Sequence, residues 1–239
     1  MKLIIPAIFE SFPEVAAAMS LRDQQAPSQL NMSLKTGDNQ RVTENLKNFC
    51  LEVGIKYPRL AIPEQDHTDI VHVLRSEYHP HLGDGIITNE PGWLVGVRVA
   101  DCIPLLLYDP DTSSYGAIHS GWRGSAANIT ATAVHKMMKE FQVNPENIYA
   151  WIGPSADGAS YEVGQDVFEQ FNPKYSQNIG GGKWLFDNKA VVYDQLVDSG
   201  LLPEKIEVSS LDSITNQELH SYRRDNDKSG RMLAAIGVV

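Results

Sequence analysis

The chain has 239 residues, 42 % hydrophobic and 21 % charged, an ordinary balance that excludes disorder, collagen-like repeats and coiled coil. Lys and Arg total 20 against 30 Asp and Glu, and the resulting net charge of −10 sets up a field that repels nucleic-acid backbones and anionic lipid surfaces. The length fits one large domain or two small ones, and no internal repeat or Pro/Gly/Ser linker divides it.

The opening Met-Lys-Leu-Ile-Ile-Pro reads as a first β-strand and not a signal peptide, because acidic and polar residues arrive from Glu10 and no small-residue cleavage site follows. From Phe12 to Asn31 the chain reads as polar and irregular, with Pro13 and Pro27 bracketing Ala-rich residues. Val42, Leu46, Phe49, Cys50 and Val53 then share one face of a 3.6-residue period, a helix that Gly54 can end. Cys50 on that face reads as a small buried hydrophobe. Strands are expected at Ile70–Leu74, Gly85–Thr88 and Trp93–Ala100, the last two joined as a hairpin by Asn-Glu-Pro-Gly. A second hairpin joins Ile103–Tyr108 to Tyr115–His119 through Asp-Pro-Asp-Thr-Ser. Ala126–Phe141 is helical, with Met137 and Met138 as core filler. A strand at Asn147–Ile152, a short helix at Gln165–Phe171, a helix at Asn188–Ser199 closed by Gly200, and strands at Ile206–Ser209 and Met232–Val239 complete the chain. Strands and helices mix without strict alternation, so the fold class is α+β with mixed sheets. The longest apolar run, Ile103–Tyr108, is far short of the roughly 20 residues of a membrane span. Two cysteines, Cys50 and Cys102, are too few for a disulfide scaffold and point to a reducing compartment, with cytoplasm as the default.

Chemistry concentrates between Val99 and Ser125. Antiparallel pairing in the second hairpin brings Cys102 within a residue or two of His119, so thiol and imidazole either share a metal or act as nucleophile and base. After His119, Ser-Gly-Trp-Arg-Gly-Ser leads into a helix, and free N–H groups there together with Arg123 suit a phosphate or carboxylate. Each residue also has a plain reading: Cys102 as buried packing, His119 as a hydrogen-bonded structural group, Arg123 as a surface ion-pair partner. Among the other histidines, His67 sits in a polar loop free to point at a pocket, whereas His72 reads as structural and His135 as solvated. His79-Pro80-His81 looks like a metal pair with nothing to complete it, and His220 carries no signal. Gly180-Gly181-Gly182-Lys183 lacks the preceding strand and following Ser/Thr of a phosphate loop and reads as surface loop. Ser221-Tyr222-Arg223-Arg224-Asp225 is a basic patch that serves either an ion-pair network or a second anion contact.

Several segments together resemble one family. Gln65-Asp66-His67, Gly83-Asp84-Gly85-Ile86-Ile87-Thr88, Val99-Ala100-Asp101-Cys102-Ile103-Pro104, His119-Ser120-Gly121-Trp122-Arg123-Gly124, Ile152-Gly153-Pro154, Tyr161-Glu162-Val163-Gly164 and Ser221–Asp225 occur in the order found in the bacterial laccase-domain, or polyphenol-oxidase-like, proteins of YfiH and YlmD type. These are also described as purine nucleoside phosphorylases, and the likeness runs from about Asn31 to the C-terminus. It implies a single domain over residues 1–239 with β-sheets sandwiched by helices, and a zinc site at His67, Cys102 and His119. It also implies phosphorolysis of adenosine, inosine, guanosine and methylthioadenosine, and adenosine deamination. This chain departs from the pattern in three places. His-Gly is here His67-Thr68; the cysteines after Gly-Pro are replaced, leaving Ser155, Ala159 and Ser160; and a Cys-Thr is missing near Leu211–Ile214.

Two His and one Cys leave a fourth position open, the pattern of a catalytic zinc. A purine nucleoside and inorganic phosphate would then enter beside Arg123, with phosphate held by that guanidinium and the N–H groups of the Gly124–Ser125 turn. Asp101, next to Cys102, is either a proton-handling group or a structural acceptor. Three competing readings remain: a copper-dependent phenol oxidase, since His₂Cys also binds copper; a cysteine hydrolase built on Cys102 and His119; and a non-enzymatic domain that the metal only stabilises.

Overall fold

The protein is described by a computed structural model that covers residues 1–35 and 38–239. Its centre is the hairpin of β7 (Ile103–Asp109) and β8 (Ser114–Ser120), both buried along their whole length. In β7 the period-2 rule sends Leu106 and Tyr108 to one face and Ile103, Leu105 and Leu107 to the other, and both faces are apolar. A strand apolar on both faces must be covered twice, and the rest of the architecture supplies the two covers.

Around this hairpin stands a six-stranded sheet of order β13-β9-β7-β8-β5-β4, where β4 is Val71–Val73, β5 Gly85–Thr88, β9 Tyr149–Ile152 and β13 Ile206–Val208. A second, five-stranded sheet has order β1-β2-β14-β6-β3, formed by Leu3–Ile4, Val15–Ser20, Met232–Val238, Leu94–Val99 and Leu60–Ala61 respectively. The sheets lie face to face. Met19, Val95, Val97, Val99, Met232, Ala234 and Ile236 of one meet Ile86, Leu106, Tyr108, Tyr115, Ala117 and Trp151 of the other in a common core. Helices cover the outer faces. Helix α1 (Asn39–Glu52) packs Val42, Leu46, Phe49 and Cys50 on the five-stranded sheet. On the six-stranded sheet, α3 (Ile129–Phe141) and α5 (Asn188–Asp198) bury Ile129, Ala133, Val134, Met137, Val192 and Leu196. The four layers are helix, sheet, sheet, helix, and each fully buried Leu or Ile contributes about 1.5–3 kcal/mol to holding them. A small three-stranded sheet of order β10-β12-β11 (Glu162–Gly164, Lys183–Phe186, Ser176–Gly180) stands apart, with α4 (Gln165–Phe168) beside it. The last helix, α6, is Tyr222–Asp225.

The α+β class and the helix at Val42–Val53 agree with the sequence, and four local expectations do not. Residues expected to be irregular contain β2, whose Val-Ala-Ala-Ala-Met-Ser run has little strand propensity; it is held by pairing with β1 and β14. The Gly85–Thr88 and Trp93–Ala100 segments do not form a hairpin. Strand β5 pairs with β8 and β4, strand β6 with β14 and β3, and the Asn-Glu-Pro-Gly turn carries the chain from one sheet to the other. The Tyr115 hydroxyl fixes that turn by donating to the carbonyls of Glu90 (2.7 Å) and Trp93 (2.9 Å). The Ala126–Phe141 helix is broken at Asn128, whose left-handed φ of 59° separates a short α2 (Trp122–Ala126) from α3. The triple glycine, expected to lack a preceding strand, does follow one: it is the exposed turn of the β11–β12 hairpin, with all three residues at positive φ (86°, 62° and 71°), and because a strand and not a helix follows it, no phosphate loop forms there.

Candidate metal centre

Two connections and the end of one strand converge at one end of the sheet stack. His67 lies between β3 and β4, Cys102 between β6 and β7, and both segments are places where the chain crosses from the five-stranded to the six-stranded sheet. His119 stands in β8, paired with Pro104 one residue into β7, so Cys102 falls just beyond the end of the ladder beside it. The ligand atoms of His67, Cys102 and His119 all lie within 4.8 Å of one another, with Cys102 Sγ 3.8 Å from His67 Nε2.

Asp84, fully buried at the start of β5, organises the cluster. Its carboxylate accepts from the backbone N–H of Asp66 (3.2 Å), His67 (3.1 Å) and Thr68 (2.6 Å), from the Thr68 hydroxyl (2.8 Å), and from His119 Nδ1 (2.7 Å). One carboxylate thus turns the 66–68 loop and sets the His119 ring, leaving Nε2 as its ligand atom. The loop accepts this at the cost of a left-handed backbone at His67 (φ 60°), a strain that persists only because Asp84 over-determines it. Thr68, the departure from the family's glycine, adds a bond to the same anchor.

Electrostatics follow from these contacts. Burial alone would raise the Asp84 carboxyl, yet the His119 hydrogen bond and charge, with those of Thr68, hold it far below the usual carboxylate range. Burial likewise pushes the Cys102 thiol up, and the imidazoles of His119 and His67 overcome it and bring the thiol down to about 6. His119 responds in the opposite sense: burial opposes its charge, but the Cys102 sulfur and Asp84 raise it to about 9. The cluster therefore favours a thiolate, the form in which sulfur binds a metal or attacks an electrophile.

Donor identity and space both fit a metal ion. A Cβ on Gly121 would come within 2.9 Å of Cys102 Sγ and 2.9 Å of His67 Cδ2, so only glycine leaves the donors free to approach one point. Two nitrogens and one sulfur, with a ring nitrogen held by a carboxylate behind it, match the ligand preferences of zinc and leave a position open.

The cluster opens into a cavity of about 920 Å³ that also receives Asp101, Arg123 and Trp122. The Arg123 guanidinium stacks 4.2 Å from the Trp122 ring centroid, with no carboxylate partner among the described residues. The Ser125 N–H closes α2 on the Gly121 carbonyl (2.9 Å), so of the anion contacts expected at the Gly124–Ser125 turn that N–H is already taken, and Arg123 carries the charge. Asp101, at φ 82°, has both oxygens engaged by the Ser213 hydroxyl (2.6 Å) and the Arg223 N–H (2.6 Å). It ties the Ser213 and Tyr222–Asp225 segments to the Cys102 connection. His72 Nε2 donates to the Leu82 carbonyl (2.8 Å), with its ring 5.7 Å from that of His81, and neither histidine joins the cluster. His135 is exposed on α3, and His220 is buried near Gln29.

Asp84 and Gly121 were visible in the sequence inside their motifs but carried no role there. An acid between two glycines at a strand start is the signal that could have marked Asp84, since burying it requires several donors at once.

A family model described as multi-copper polyphenol oxidoreductase laccase matches residues 18–239. The chain is 33 % identical over 215 residues to a purine nucleoside phosphorylase of Deinococcus radiodurans, covering 87 % of this chain and 82 % of the relative. It is 30 % identical over 217 residues to the purine nucleoside phosphorylase YfiH of Escherichia coli, covering 88 % and 86 %. Among solved structures, a Bacillus licheniformis protein titled hypothetical protein YfiH superposes with a TM-score of 0.91 at 28 % identity, over 96 % of this chain and 95 % of that one.

Proposed function

This chain belongs to the family described as multi-copper polyphenol oxidoreductase laccase, and from that premise we propose that it is a zinc-dependent purine nucleoside phosphorylase acting in the cytoplasm. The carrying observation is the convergence of His67, Cys102 and His119 in the same cavity as Arg123, whose guanidinium has no carboxylate partner among the described residues. Relatives named as purine nucleoside phosphorylases support the reaction class. Inosine, adenosine, guanosine and methylthioadenosine are the proposed substrates, and adenosine deamination is a secondary activity in the same reading.

His67, Cys102 and His119 would hold the ion, which supplies Lewis acidity toward an oxygen of substrate or water. Arg123, fixed over Trp122, binds the phosphate dianion and sets an oxygen against the ribose anomeric carbon. As the C1′–N9 bond breaks, positive charge grows on the ribose; the bound phosphate stabilises it and then forms the new C1′–O bond, while N9 takes up a proton. Trp122, Tyr161 and Tyr222 line the cavity with flat surfaces against which a purine packs. Asp84 holds the His119 proton on Nδ1, and Asp101 positions the Cys102 connection. The copper oxidase reading has less support: among the described residues one group of three donors converges, too few for a multicopper cluster.

Purified protein loaded with zinc should release hypoxanthine from inosine only when phosphate is present, with ribose 1-phosphate as co-product. Release without phosphate would make it a hydrolase, and no release would move the site to another substrate.

A further inference from the structure

The cavity is far more basic than the protein around it. Lys35, Arg98, Arg123, Arg223 and Arg231 line it, against two acids, Glu64 and Asp101, in a chain of net charge −10. The Asp101 carboxylate is already spent on Ser213 and Arg223. Elsewhere Arg22 and Arg224 pair with Asp225, Arg41 with Asp38 and Arg75 with Glu140, while Arg59 stacks on Trp93. Among the described residues no carboxylate pairs with the guanidinium of any of the four cavity arginines; the Arg223 contact to Asp101 is made by its backbone N–H.

Arg98 stands out within this set. It is half-buried on β6, and burial pulls its guanidinium down from the ordinary arginine range. Its Nε donates to the Met32 carbonyl (2.9 Å), and its Nη groups have no protein acceptor among the described residues. Its backbone is clamped on both sides by the Gln65 amide, which accepts from the Arg98 N–H (2.8 Å) and donates to its carbonyl (2.7 Å). A cation held rigidly in a partly desolvated wall, without a counter-charge, is unfavourable unless an anion arrives to complete it. Arg231 stands beside this wall at the start of β14, where Leu233 is the register partner of Arg98. Arg123 belongs to a different wall: it is carried by α2, which follows β8 of the six-stranded sheet, whereas Arg98 and Arg231 belong to the five-stranded sheet. At about 920 Å³ the cavity is near the upper end of ordinary small-molecule sites and has room for anions on both walls.

We propose that Arg98, with Arg231 and Lys35, forms a second anion subsite for the phosphoryl group of a nucleoside monophosphate, separate from the inorganic phosphate at Arg123. This rests on the phosphorylase reading for the base and ribose pocket, and it widens the ligand class from nucleosides to nucleotides. The phosphoryl dianion could equally be a second free phosphate, so the test separates the two sources.

Calorimetric titrations of inosine 5′-monophosphate and of inosine into zinc-loaded protein, in phosphate-free buffer so that no phosphorolysis proceeds and both anion positions start empty, read the subsite without requiring turnover. The monophosphate is expected to bind about tenfold or more tighter than inosine, the effect of one or two charge-assisted hydrogen bonds. Arg98→Gln should bring the ratio to near one, and Lys35→Gln, at an exposed position, should reduce it in part. Since Arg98 also holds Met32, the Lys35 variant carries the test if Arg98→Gln fails to fold. Equal affinity for the two ligands would overturn the proposal, as would a ratio unchanged in both variants. So would a preference for the monophosphate that is lost in Arg123→Gln and kept in Arg98→Gln, because the Arg123 site would then hold the phosphoryl group. An Arg98-dependent preference in a protein that releases no purine keeps the subsite and sinks only the phosphorylase reading.

Discussion

Two buried histidines, in two regions of the molecule, have opposite chemistry. His119 and His220 are both almost inaccessible, at 4 % and 1 % exposure. His119 faces the Asp84 carboxylate and the Cys102 sulfur and is raised to about 9. His220 is lowered to about 4 by burial and by the charge of Arg22. Its Nε2 donates to the Gln29 carbonyl at 3.1 Å, and its Nδ1 has no hydrogen-bond partner among the described residues. The cysteines repeat the contrast: Cys50 under α1 is pushed up to about 11 by burial, while Cys102 falls to about 6 among imidazoles. Burial by itself makes a titratable side chain inert; reactivity appears only where fixed partners of opposite charge are buried with it.

The sharpest way to break this contrast is to remove a ligand. His119→Ala should lower phosphorolysis by at least about a hundredfold while the protein still unfolds cooperatively, whereas His220→Gln should leave the rate within about threefold. Equal losses in both, measured as kcat/KM beside a urea melt, would mean that His119 is merely structural. Asp84→Asn comes next. The amide cannot accept all five bonds, so zinc affinity should fall by about 10- to 100-fold, measured by competition with a chromophoric chelator. Gly121→Ala should also weaken zinc, by driving a methyl against Cys102 and His67, with a smaller effect on the melting temperature than on the metal.

The pH dependence sharpens the other half of the comparison. His220 is easier to deprotonate in the folded state, so its contribution is complete above pH 6.5 and is lost as the pH falls toward about 4. The stability at stake is on the order of 3 kcal/mol, and His220→Gln should flatten the fall in urea midpoint across that window. The smallest expected effect concerns the thiols. In metal-free protein at pH 7, iodoacetamide should modify Cys102 and spare Cys50, and zinc should protect Cys102.

Local pattern determined much of this molecule. The 3.6-residue stripe from Val42 to Val53 and the Asp-Pro-Asp-Thr-Ser turn specify α1 and the β7–β8 hairpin through contacts between near neighbours, and the hairpin alone brings Cys102 to His119. The likeness in Gln65-Asp66-His67 named the third donor, which no spacing could supply. Tertiary structure decided the rest. A strand apolar on both faces, such as β5 or β6, states that it will be buried but not beside which strand, so the expected hairpin between them dissolved into two separate sheets. His67 reaches the site because two sheet-crossing connections meet there, and it is aimed by Asp84. Arg98 became a wall of the cavity through the amide of Gln65, thirty-three positions earlier in the chain. Such groups are placed by the stacking of whole layers, and a one-dimensional pattern records which face a residue takes but not which distant partner it will meet there.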